Sequence, residues 1–164
     1  MNSTVATVPK VSSSCFALAI WIAACLAASA IGAFFMPGEW YAQLSKPAWN
    51  PPNWIFGPVW TLLYLMMAVS AWLVWKRGGF GAQRRPLGLF FVQLALNAAW
   101  SPIFFGLKQP GLALVEILGL WLAIVGTIAV FQRVDRLAAR LLVPYLAWVT
   151  FASVLNFALW RLNP

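Results

Sequence analysis

The sequence predicts an all-α integral membrane protein built as a bundle of five transmembrane helices. Three observations carry that prediction. The chain holds five separate apolar runs, its charged residues fall almost entirely in the gaps between them, and 63% of its residues are hydrophobic against 9% charged, with a mean hydropathy of +0.82. A hydrocarbon core about 30 Å thick takes roughly 20 apolar residues in helical form. Residues 15–36, 57–75, 87–106, 112–131 and 137–160 all meet that need. Spans and short connections consume nearly the whole of residues 1–164, which read as a single transmembrane domain with no room for a soluble catalytic or nucleic-acid-binding domain. Function is therefore expected inside the bundle or in its loops.

The first ten residues, rich in Ser, Thr and Val around Pro9, read as a short mobile tail. Lys10 and the Ala28-Ser29-Ala30 triplet imitate a secretory signal with a cleavage site, but the apolar run continues through Phe35 and reads as the first span. Cys15 and Cys25 lie in that one helix, about 15 Å apart along its axis, too far for a disulfide. The connection to the second span is the only long one. It carries Trp40, Tyr41, Trp49 and Trp54 together with Pro47, Pro51 and Pro52, so a stiff, amphipathic loop of extended and turn conformations is expected. The later gaps are short: residues 76–86 with Gly78-Gly79, then 107–111, then 132–136. Successive helices must run antiparallel, and the odd number of spans disfavours an inverted-repeat transporter plan.

A net charge of +8 could suggest nucleic acid as partner, but the basic residues are scattered over loop ends rather than gathered on one face. They fit topology instead. Lys10, Lys76, Arg77, Arg84, Arg85, Arg133, Arg136 and Arg140 fall on the N-terminal side, and Lys46, Lys108 and Arg161 on the other. The positive-inside rule then places the N-terminus in the cytoplasm and the C-terminus across the membrane, with the 76–85 connection near anionic headgroups.

The chain has no histidine, three acidic residues, and no phosphate loop, zinc-type cysteine cluster or nucleophile elbow, so ordinary acid–base and metal catalysis lack their parts. Glu116 is the one acidic residue within a span, set near the interface and Lys108, where headgroup water or a neighbour could satisfy it. Gln93, Asn97 and Ser101 form a polar stripe on one face of the third span, which must face protein. That stripe serves either as interhelical glue or, at Asn97, to read a polar edge of a ligand. In the fifth span Trp148, Ala152 and Asn156 share a face, with Tyr145 one turn earlier; in the second, Trp60 and Tyr64 are one turn apart. Converging inward, these stripes would line a cavity for a large, flat, mostly apolar ligand. Trp75 and Trp160, at span ends, fit the interfacial aromatic belt better. Ala95 and Ala99, and Gly119, Ala123 and Thr127, would let helices or subunits approach closely.

Several stretches together carry a specific likeness. They are Trp40-Tyr41, Leu44, Lys46-Pro47, Trp49, Pro51-Pro52, Trp54 and Gly57-Pro58-Val59-Trp60 with Leu63-Tyr64; Gln93 to Asn97 with Trp100, Pro102 and Phe104-Phe105-Gly106; and Pro144 to Trp148 with Leu155-Asn156 and Trp160-Arg161. From about Gly38 to Asn163 the chain resembles the translocator protein family, also called tryptophan-rich sensory or TspO/MBR proteins, the first span matching by hydropathy alone. The resemblance implies a five-helix bundle, often a homodimer, in a bacterial cell membrane or the mitochondrial outer membrane. It implies binding of porphyrins such as protoporphyrin IX, of sterols such as cholesterol in mitochondrial members, and of synthetic benzodiazepine-type ligands, in a pocket covered by the first loop. Carried over by position, the ligand-binding residues are Trp40, Trp60, Tyr64, Asn97, Trp100, Ala147 and Trp148. Phe157 stands between Leu155 and Arg161 where the family's sterol consensus has Tyr, while Arg140, Tyr145 and Val149 fit the reversed pattern.

The function expected from this reading is a membrane receptor or carrier of tetrapyrrole-like hydrophobic ligands, with the porphyrin as ligand, no resident cofactor and no metal. The alternative is light- and oxygen-dependent breakdown of bound porphyrin with Trp60 and Trp148 as the reactive pair.

Overall fold

A computed structural model describes residues 11–35 and 37–164. The N-terminal tail around Pro9, the charge of Lys10 and the end of the first predicted span at Met36 lie outside the described residues. Within them the chain is helical, with five helices long and apolar enough to cross a membrane. The first crossing is α1 (Val11–Ala33). A short α2 (Glu39–Gln43) and a 3₁₀ turn (Asn53–Ile55) occupy the long connection, and α3 (Phe56–Trp75) is the second crossing. The expected loop is therefore partly helical, and the extended backbone is confined to places such as Leu44 and Pro52.

A four-residue α4 (Gly79–Ala82) leads to α5 (Arg84–Ser101), and α6 (Pro110–Val134) is the fourth crossing. Gly78, at φ 125°, makes the turn before α4; a Cβ there would lie 2.7 Å from that of Ala82. The third crossing does not end as a regular helix. Pro102 has no N–H to donate and its ring crowds the preceding turn, so residues Pro102–Gly106 widen into a π turn in which Leu107 N–H reaches the Pro102 carbonyl at 2.9 Å. The fifth crossing is likewise broken, into α7 (Arg136–Leu141) and α8 (Val143–Leu162), with Pro144 in the first turn after the break.

The crossings form a ring in the order first, second, fifth, fourth, third: α1 packs on α3 and α5, α3 on α7, α8 on α6, and α6 on α5. Large apolar side chains such as Ile20, Leu62, Val92, Leu122 and Val154 are exposed on the outside, where lipid would lie. At one end of the ring the interior is solid. Met67, Ala68, Ala71, Val74, Leu87 and Phe90 are fully buried, and Ala68 and Ala71 let neighbouring helices close on α3. Ser70 Oγ donates to the Ala138 carbonyl at 2.8 Å and the Trp72 indole N–H to the Ser14 carbonyl at 2.9 Å.

That end is also tied across its loops. The Arg77 guanidinium donates to Asp135 at 2.7 and 3.2 Å, while the other carboxylate oxygen accepts the Leu137 and Ala138 N–H groups and caps α7. Hydrogen bonds from Arg77, with its charge and the two backbone donors adding to them, hold the Asp135 carboxyl below the usual carboxylate range against a smaller opposing effect of burial. At the opposite end Asn163 clips the long connection to the end of α8, accepting from the Ser45 N–H and donating to its carbonyl at 2.9 and 3.0 Å.

Candidate ligand cavity

The end beneath the long connection is hollow. A cavity of about 550 Å³ lies inside the ring, within the size range of small-molecule sites. Its walls are mostly aromatic and aliphatic. Trp60 and Tyr64 come from α3; Asn97 and Trp100 from α5, with Phe104 from the π turn; Ile117 and Leu120 from α6; and Trp148, Ala152 and Asn156 from α8. Tyr41, Asn53 and Trp54 of the long connection close over it, and Ser29 and Gly32 of α1 complete the ring.

Aromatic packing holds the large walls in place. The Trp60 ring lies 5.6 Å from Tyr64 and 6.3 Å, edge-on, from Tyr145; Trp100 stacks on Phe104 at 4.9 Å; Trp148 meets Phe56 edge-on at 5.7 Å. Two separate sets of side-chain hydrogen bonds tie the walls together. Asn97 accepts from the Tyr64 hydroxyl and donates to the Tyr145 hydroxyl at 2.9 Å, tying three crossings together at the cavity floor. One face away, the Trp100 indole N–H donates to Asn156 Oδ1 at 3.1 Å, and Asn156 Nδ2 donates to the Pro110 carbonyl at 2.8 Å. These bonds engage the polar groups of Tyr64, Asn97, Trp100 and Asn156, so much of the wall is apolar. The buried Trp148 indole N–H has no partner among the described residues.

Of the seven residues carried over by position, Trp60, Tyr64, Asn97, Trp100 and Trp148 meet around this one cavity. Trp40 and Ala147 do not. In α2 Trp40 and Tyr41 point about 100° apart, so only one can turn inward, and it is Tyr41 that does. Burial raises the Tyr41 hydroxyl pKa, partly offset by its hydrogen bond to Asn50. Trp40 packs edge-on against Phe104 at 5.9 Å and borders a separate, shallower recess with Glu39, Gln43 and Lys108. Ala147 falls one residue off the Trp148–Ala152 face and is exposed on the outside of α8.

Two other expectations shift. Gln93, head of the stripe, is buried below the cavity with neither amide atom hydrogen-bonded among the described residues, so it does not act as glue there. Glu116 does not reach water: both carboxylate oxygens are buried and unpartnered among the described residues. Sequence reasoning missed Tyr41, Phe56 and the whole contribution of α1. Gly32 was the available signal, since its missing side chain lets α1 approach Ser101, whose Oγ would lie 3.3 Å from a Cβ at that position.

Comparison with known proteins bears on this geometry. The profile of the TspO/MBR family matches residues 21–161, from the middle of α1 to the end of α8. The chain is 51% identical over 138 residues to a protein of Homo sapiens named Translocator protein, covering 81% of this chain and 82% of the relative. It is 46% identical over 154 residues to Tryptophan-rich protein TspO of Chlorobaculum tepidum, covering 90% and 96%, and 45% identical over 150 residues to Protein CrtK of Rhodobacter capsulatus, covering 89% and 92%.

Proposed function

Because the chain belongs to the TspO/MBR family and is an integral membrane protein, we propose that it is a membrane receptor or carrier that binds porphyrins of the protoporphyrin IX type, and related hydrophobic ligands such as sterols, in the cavity under its long connection. The observation that carries this reading is a hollow of about 550 Å³ walled by Trp60, Tyr64, Trp100 and Trp148. Burial of a flat apolar ring contributes roughly 25 cal/mol per Å². Asn97 and the connection fix its orientation, and the connection acts as lid. Titrating the purified protein with protoporphyrin IX while following Trp emission tests this: saturable quenching that weakens in Trp60→Leu and Trp148→Leu is expected, and unchanged emission would refute it.

The same reading sets the N-terminus in the cytoplasm on the charge bias, in a bacterial cell membrane or the mitochondrial outer membrane, and pairs two copies into a homodimer. The exposed Ala95 on the outer face of α5 offers a place for close approach. Cross-linking in bilayers checks the dimer, and accessibility of single cysteines placed in each loop checks the orientation.

One observation favours a second reading, light- and oxygen-dependent porphyrin breakdown. Trp60 sits on the cavity wall next to Tyr64 and Tyr145, a run of oxidisable rings leading away from the ligand space. Illumination of the complex should then bleach the porphyrin absorption bands faster than in a variant lacking Trp60 and Trp148; equal rates leave binding alone.

A further inference from the structure

We infer that ligand passes between the cavity and the bilayer sideways, through a gap between α1 and α3 at the lidded end, rather than through the loop to water. The inference rests on the binding reading above and names its route. Buried apolar positions on α1 end at Ala28, and those on α3 begin at Leu63, so the two helices seal each other only toward the solid end. Beyond that seam the facing residues are small: Ser29, Gly32 and Ala33 on α1, Gly57 and Thr61 on α3. All five line the cavity, and Ala33, Gly57 and Thr61 are exposed. Small, exposed side chains leave that wall thin.

The end of α1 leans the other way. A Cβ at Gly32 would lie 3.3 Å from Ser101 Oγ of α5, and one at Gly106 would lie 2.8 Å from the Phe35 ring, whereas a Cβ at Gly57 would meet nothing within 4 Å. No hydrogen bond among the described residues joins 29–35 to 56–61. The Thr61 hydroxyl is spent on the Gly57 carbonyl at 2.9 Å, so the rim of the gap shows lipid no free hydroxyl donor from that side chain. Trp54, 73% exposed, stands at the lip, where an indole is at home between headgroups and acyl chains.

The route to water is held far more firmly. The long connection is clipped to α8 through Ser45 and Asn163, Trp49 packs on Phe151 at 6.0 Å, and Tyr41 packs on Phe104 and Phe105. Lifting it breaks all of these contacts; parting α1 from α3 at Gly57 breaks none of them. The gap suits a flat, apolar, membrane-dissolved molecule that enters edge-on with any ionised groups trailing at headgroup level.

The test uses the full chain in lipid nanodiscs with protoporphyrin IX supplied in the lipid, loading followed by Trp quenching in stopped flow and release by transfer to acceptor vesicles. Gly57→Phe and Thr61→Phe are expected to slow both loading and release by about tenfold or more, because a gate alters the rates in both directions. Gly88→Phe, bulky on an open outer face of α5, and Asn163→Ala, which unclips the lid, should exchange at wild-type rates. Wild-type rates in both gate variants, faster exchange in Asn163→Ala, or weaker binding through faster release in the gate variants would each overturn the route. A wild-type chain without saturable quenching is a different result, which removes the binding reading and this inference with it.

Discussion

The two ends of the bundle are made of similar residues and do opposite things. Toward the Arg77–Asp135 side, Met67, Ala71, Leu87, Phe90 and Phe131 fill the ring completely; toward the long connection, Trp60, Trp100 and Trp148 stand around a space. Hydrophobicity does not separate them. Shape does: alanines on α3 let helices collapse onto one another, whereas indoles braced by Phe56, Phe104 and Tyr64 resist collapse, and the Asn97 and Asn156 bonds lock the helices at that spacing. A hollow in a membrane bundle is thus held open by rigid rings and a few amide bonds at its edges.

The comparison breaks most directly under truncation. Phe90→Ala should cost about 3–5 kcal/mol of stability, as for large core aromatics, whereas Trp148→Ala, which only enlarges an existing space, should cost clearly less and weaken ligand-induced quenching instead. Unfolding in mild detergent measures the first and titration the second; similar losses of stability would mean the two ends are packed alike. A smaller effect is expected at the boundary. Asn97→Leu leaves two buried tyrosine hydroxyls without their partner and should cost about 1–3 kcal/mol, with a clear coupling to Tyr145→Phe in a double-mutant cycle.

At the solid end, Asp135→Ala removes a helix cap and should cost about 1 kcal/mol. Arg77 is well exposed, so its ion pair adds little beyond that. Since Arg77 lowers the Asp135 pKa in the folded protein, this contribution is present above the unfolded-chain value of about 3.9 and is lost as pH falls through the lower folded one. Acid unfolding of wild type and Asp135→Ala should therefore converge below that window. The smallest effect belongs to Gly106→Ala: the Phe35 ring in its way is the free end of a flexible, exposed side chain, so stability should change by no more than about 0.5 kcal/mol.

Five crossings, their alternation and three of the converging stripes were readable because lipid leaves little choice: length fixes the span and a polar side chain must turn inward. What was not readable depended on phase and on space. Ala147, carried over by position beside Trp148, lies off the Trp148–Ala152–Asn156 face that the periodicity picks out; α2 turns Tyr41 inward and Trp40 away. A short helix in a loop has no apolar period long enough to reveal its rotation. The wall from α1 was invisible for the opposite reason, since Ser29 and Gly32 matter by what they lack.

The unequal states of two indoles have a practical consequence. Asn156 saturates the Trp100 N–H, whereas the Trp148 N–H has no partner among the described residues. In a ¹⁵N-labelled sample the Trp148 indole resonance should move further than that of Trp100 when the hollow fills, because the Trp100 N–H is already held by Asn156, giving an occupancy gauge within one spectrum.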